Sequence, residues 1–155
     1  MPLKPTSKPS RWHFLVLLLG LGLGLLQVVA ASVPVETHVQ AVLVWGTDEA
    51  KPAGKALKEV DAKLREKLGK IFKWQNYFEV SRKNAGVSAS KPQTLKLSEE
   101  CSVAIKILPE NLAEVKLLSK GKTITRRHSL AKADALVLGG DDKNNTAWFV
   151  VLNFN

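Results

Sequence analysis

Residues 101–127 read CSVAIKILPENLAEVKLLSKGKTITRR, and the spacing of their apolar residues decides the fold. In Cys101-Ser-Val-Ala-Ile-Lys-Ile107 every second position is apolar. Ala113-Glu-Val-Lys-Leu-Leu118 repeats the pattern, and Lys122-Thr-Ile-Thr-Arg-Arg127 carries a weaker version of it. Successive side chains of a strand point to opposite faces, so a period of two marks strands with one buried face. Pro109-Glu-Asn111 and Ser119-Lys-Gly121 separate the runs with residues that favour turns. Links this short join antiparallel neighbours, and the stretch therefore reads as a meander.

Toward the C-terminus, Ala135-Leu-Val-Leu138 and Ala147 to Phe154 continue the strand pattern across the loop-like Gly139-Gly-Asp-Asp-Lys-Asn-Asn145. Toward the N-terminus, Thr94-Leu-Lys-Leu97 and Tyr77 to Arg82 are further strands, with Asn84-Ala-Gly86 turning the chain after the second. His38 to Trp45 differs from these. Near its end both alternating sets are apolar, as in a strand covered on two faces. Lys55 to Leu68 predicts the one helix: Leu57, Val60, Leu64 and Leu68 make an apolar stripe, charged residues fill the rest, and Gly69 is placed to end it in a left-handed conformation. With no second helix of similar quality, that stripe must lie on a sheet. If Tyr77 to Arg82 pairs with the first strand, the roughly 30 residues between them are enough for a right-handed crossover. The expected class is α+β, with one amphipathic helix packed on a mostly antiparallel sheet, a meander folded into a sandwich or a partly closed barrel.

The N-terminus reads as an address. Lys4, Lys8 and Arg11 precede the apolar run Phe14 to Ala31, which leaves through the small residues Ala30 and Ala31. A basic start, an apolar centre and a small-residue exit form a secretory signal peptide, so residues 1–31 are expected to be removed. The alternative is an uncleaved anchor across the membrane through residues 14–31. Either way the body of the chain is exported, periplasmic or secreted, because positive charge before the segment stays on the cytoplasmic side. Residues 32–37 then form a tether, and 38–155 a single globular domain of ordinary size.

Removing the leader takes three of the 23 basic residues and none of the 14 acidic ones, leaving 20 against 14 and a net charge of +6. In an exported protein this charge favours an anionic envelope component or an acidic partner protein over nucleic acid. Membrane contact is expected only through an uncleaved N-terminal segment. The charge is concentrated. Between Val115 and Ala133 there is no acid, while Lys116, Lys120, Lys122, Arg126, Arg127 and Lys132 supply six positive charges. If Lys120 and Lys122 flank a hairpin tip, Lys122 and Arg126 share a strand face with Ile124, and Arg127 joins Thr123 and Thr125 on the other. These six residues are the candidate ligand-binding set. A bland role, lysines guarding a sheet edge against aggregation, is compatible with it.

Catalytic and metal-binding readings find less support. Cys101 is the single cysteine and follows Glu99 and Glu100, whose charges oppose a reactive thiolate. His38 and His128 lie about 90 residues apart with no partner at metal-ligand spacing. Asp141-Asp142-Lys143-Asn144-Asn145 is oxygen-rich but lacks the glycine and closing glutamate of a calcium loop. The aromatics of Phe72-Lys-Trp-Gln-Asn-Tyr-Phe78 either cap the core after the helix or form a surface platform. The expected function is a small non-catalytic binding or scaffold module of the cell envelope, without metal or cofactor. The alternatives are an accessory structural subunit whose sheet edges complete a partner, and an exported enzyme using His128 with Asp134 or Asp141.

Overall fold

The structure, a computed structural model, describes residues 35–51, 57–142 and 145–155, the side chains of Asp141 and Asp142 excepted. The expected leader, its anchor alternative and the first half of the tether, residues 32–34, lie outside the described residues. Among the described residues, nine strands and one helix follow in the order β1 Thr37–Thr47, β2 Lys58–Glu59, α1 Ala62–Gly69, β3 Asn76–Val87, β4 Gln93–Lys96, β5 Cys101–Leu108, β6 Leu112–Ser119, β7 Lys122–Ser129, β8 Leu136–Asp142 and β9 Thr146–Phe154. They form two open sheets, one of order β2-β3-β1-β9-β8 and one of order β4-β5-β6-β7, with every pairing antiparallel. The four-stranded sheet is the expected meander. Neither sheet closes on itself, which removes the barrel alternative and leaves the sandwich.

The core explains why β1 and β9 are so apolar. Val39, Ala41 and Leu43 of β1, with Val150 and Leu152 of β9, meet Val103, Ile105, Val115 and Leu117 of the four-stranded sheet in one buried cluster. The alternate residues Val42, Val44, Ala147, Phe149 and Val151 form a second cluster on the opposite face with Leu64, Leu68, Trp74 and Tyr77. The central strands are thus buried on both faces, as the His38 to Trp45 run predicts. One side is covered by a sheet. The other is covered by the short helix and the aromatic segment after it. Trp74, Tyr77 and Phe78 are buried, and the Phe72 and Phe149 ring centroids lie 4.2 Å apart, so these aromatics pack as core.

Four local expectations give way to sheet pairing. The helix is eight residues long and starts only after Asp61, whose side chain accepts from the Leu64 amide at 2.9 Å. Upstream, Lys58 and Glu59 pair with Glu79 and Phe78, and the Val60 amide donates to the Tyr77 carbonyl at 3.1 Å. That extended ladder buries Val60 without helix, so its place in the stripe was a coincidence of spacing. Gly69 is the last helical residue and has no positive φ, and the helix stops at Lys70 in the right-handed region. Asn84-Ala-Gly86 is no turn, because all three residues pair with β1 opposite Gln40, Val39 and His38. The β1–β3 pairing is antiparallel, so no crossover exists.

β3 departs from regularity once. Its register against β1 shifts between Leu43/Ser81 and Val44/Glu79, leaving Val80 as an extra residue. Val80 packs in the inter-sheet core, while the neighbouring Ser81 Oγ donates to the Leu97 carbonyl at 2.6 Å. Both side chains therefore turn toward the second sheet, as a bulge permits.

Candidate functional site

At the end of the sandwich where β1 finishes, residues directly opposite one another put Phe78, Trp45, Trp148 and Gly140 in one row across β3, β1, β9 and β8. The ring centroids of Trp45 lie 5.9 Å from those of Phe78 and 6.3 Å from those of Trp148. The row shares its face with Leu43 and Val150, and so looks toward the four-stranded sheet. A Cβ at Gly140 would meet nothing within 4 Å. The glycine therefore leaves open space beside Trp148, which is 37% exposed.

Facing this end are the start of β5, the end of β6 and the start of β7. Between the sheets lies a cleft of about 800 Å³. Leu43, Val80 and Val150 form one wall, and Cys101, Leu117 and Ile124 the other. The rim carries Glu100, Lys120, Lys122 and Trp148. Leu43, Val150, Leu117 and Cys101 belong to the buried core and floor the cleft, Val80 and Ile124 are its half-buried apolar sides, and the half-buried Ser98 and Ser119 add hydroxyls beside the mouth. The polar groups stand at the mouth, the usual division of labour in a small-molecule site.

The β6–β7 hairpin brings its lysines to this mouth for a local reason. Ser119 pairs with Lys122, so Lys120 and Gly121 are the two turn residues, both with positive φ (48° and 74°). Such a two-residue turn matches the twist of the strands it joins. Along β7, Lys122 and Arg126 share a face with Ile124, which packs in the inter-sheet core, while Thr123, Thr125 and Arg127 occupy the other face.

The six candidate residues consequently do not form one patch. Lys120 and Lys122 stand at the cleft rim. Lys116 and Arg127 lie on the outer face, where Glu114 approaches them at 3.5 Å and 3.8 Å. Arg126 follows four residues along from Lys122, about 13 Å at the strand rise. Lys132 sits in the turn after β7, its amide donating to the Ser129 carbonyl at 3.2 Å. Among the described residues, Lys122, Arg126 and Lys132 have no carboxylate within ion-pairing distance.

The residues weighed for chemistry are placed as follows. Cys101 is 9% exposed, and burial pushes its thiol above the usual range, away from thiolate character. The His128 ring stacks on Phe154 at 5.4 Å, and its Nε2 is buried without a hydrogen-bond partner. Neither Asp134 nor any other described carboxylate orients that imidazole. Among the described residues, no three His, Cys, Asp or Glu side chains cluster as metal ligands, and no helix is long and apolar enough to cross a membrane. The Gly139 to Asn145 loop shortens, because β8 continues through Asp142. The run of lysines is legible in the sequence but the cleft is not, because its floor and sides come from six strands, β1, β3, β5, β6, β7 and β9. Its one local sign is Gly140, which the sequence places in a loop and the structure places on β8.

Comparison with protein families, with curated proteins and with solved structures finds no match to this chain.

Proposed function

We propose that the chain is an exported, non-catalytic binding module of the cell envelope whose β6–β7 hairpin receives an anionic ligand or partner. The observation that carries this reading is the position of Lys120 and Lys122 at the rim of an apolar cleft, with Arg126, which has no carboxylate partner among the described residues, farther along the strand face of Lys122. Cations beside a low-dielectric wall act on an anion more strongly than the same charges on an open surface. Lys116 and Arg127, partly answered by Glu114, serve less well and are not needed for the contact. Export follows from the leader, and the body of the protein works outside the cytoplasm.

The test reverses charge where it is unpaired. A Lys122→Glu/Arg126→Glu variant should elute from heparin and release from anionic vesicles at clearly lower salt than the wild type, because fewer counterions are exchanged. Unchanged retention would remove the hairpin from the binding surface. Export is checked separately by fractionation and N-terminal sequencing, which should find chains beginning at Ala31 or Ser32. Intact chains in the cytosol would refute it.

A further inference from the structure

We infer that the ligand at the hairpin is a single-chain anionic amphiphile, its acyl chain in the cleft at the open end of the sheets and its head group on Lys122. This rests on the proposal that the hairpin binds anions, and it adds what the other end of the ligand must be.

The walls decide the class of guest. Val80, Ile124 and the Trp148 ring offer the accessible apolar surface, over a floor of Leu43, Leu117 and Val150 that belongs to the buried core, and Ser98 and Ser119 add two hydroxyls at the edge. The nearby Ser81 hydroxyl is already committed to the Leu97 carbonyl. A sugar or a peptide laid on this surface would leave most of its hydroxyls or amides without partners, since beyond the rim only Ser98, which already accepts from the Glu100 amide, and Ser119 offer hydroxyls, a cost that an acyl chain does not incur. The volume of about 800 Å³ lies within the range of about 300–1,000 Å³ typical of small-molecule sites.

The mouth decides the head group. Lys122 stands at the end of the inward row of β7, one alternation beyond the wall residue Ile124, so its stem can line the entrance while its ammonium stays in water. Glu100 also stands on the rim and disfavours an anion placed on its side, which directs the head group toward β7. Gly140 keeps the entrance open on the opposite strand, where any larger residue would project into it.

The experiment uses the full chain and palmitate below its aggregation threshold, followed by isothermal titration and by the rate of Cys101 alkylation, since Cys101 lines the cleft. Palmitate should bind one per chain and slow the alkylation. Hexadecyltrimethylammonium, with a similar chain and the opposite charge, should bind more weakly. Gly140→Trp fills open space at the mouth. It should weaken palmitate by about tenfold or more, the loss expected when roughly two methylenes stay in water, while heparin retention is unchanged. Lys122→Glu should weaken palmitate and leave hexadecanol unaffected. Gly140→Ala, a smaller change, guards against a misfolded tryptophan variant and should fall between that variant and wild type.

Absence of palmitate binding with heparin retention intact would overturn the acyl-chain inference and leave the anion-binding proposal standing. Palmitate binding indifferent to Lys122→Glu would overturn the head-group assignment. Equal palmitate affinity in wild type and Gly140→Trp would move the ligand out of the cleft and refute the inference. Uptake only from intact anionic vesicles, with none of the free fatty acid, would make the site a membrane contact and refute it too.

Discussion

Gly139 and Gly140 are neighbours on β8, and the same substitution should act on them in opposite directions. A Cβ at Gly139 would lie 2.5 Å from the Phe149 ring and 2.9 Å from the Trp148 carbonyl oxygen. The first atom belongs to a ring fixed in the second core cluster, and the second to the backbone of the adjacent strand. Neither can yield without moving β8 away from β9. Overpacking of this kind costs about 1–3 kcal/mol. At Gly140 the added methyl meets nothing within 4 Å, and the backbone has no positive φ there. Restricting the unfolded chain should then stabilise by about 0.4–1 kcal/mol. With a urea slope of about 2 kcal/mol per molar, Gly139→Ala should lower the unfolding midpoint by about 0.5–1.5 M, and Gly140→Ala should raise it by about 0.2–0.5 M. Urea titrations of the full chain followed by tryptophan fluorescence measure both. A slip of β8 by one residue would exchange the two environments, so a reversed order, or equal effects, would refute the register and with it the open cleft mouth.

Three further perturbations test other parts of the architecture. Leu68→Ala removes a fully buried side chain that joins the helix to the five-stranded sheet; it should cost about 2–5 kcal/mol, and a loss under 1 kcal/mol in chemical unfolding would mean that the helix is not docked there. His128→Leu replaces an imidazole whose buried Nε2 lacks a partner with a hydrocarbon beside Phe154; relief of the unpaired group should raise stability by about 1 kcal/mol, and a destabilised variant would show that His128 is hydrogen-bonded in solution. Glu79 accepts from Arg82 Nε at 3.1 Å, and these hydrogen bonds hold its carboxyl below the usual range. A lowered folded-state pKa gives stability that is complete above the unfolded value and is lost as pH falls through the folded one. The stability difference between wild type and Glu79→Gln should therefore be largest at neutral pH and shrink in acid, and a difference independent of pH would rule the pairing out.

How much of this was legible in the sequence follows from the range of the forces involved. The meander from Cys101 to Arg127 could be read because each strand pairs with its neighbour across a turn of two or three residues, and the turn chemistry is local. The two-faced burial of β1 could be read because it needs only the composition of one run. Long-range pairing is a different matter. Val60 sits at helical spacing from Leu64, yet its amide is taken by Tyr77, 17 positions away, and Asn84 to Gly86 are held straight by the first strand. Here the ladder overrides turn propensity, because an unpaired backbone beside a buried strand costs more than a poor residue choice. The candidate site follows the same rule. Its cations stand out as a run without acids, but their division between a cleft rim and a partly neutralised outer face depends on Glu114 and on strand alternation. The cleft was hidden because Gly140 acquires meaning only opposite Trp148. A glycine read in sequence is a loop; the same glycine paired with a tryptophan on the inward face of a sheet is an entrance. Charge alone would make the hairpin an edge guard, and an apolar end alone would make the sandwich frayed. Their meeting at Lys122 is what turns two ordinary features into one binding hypothesis.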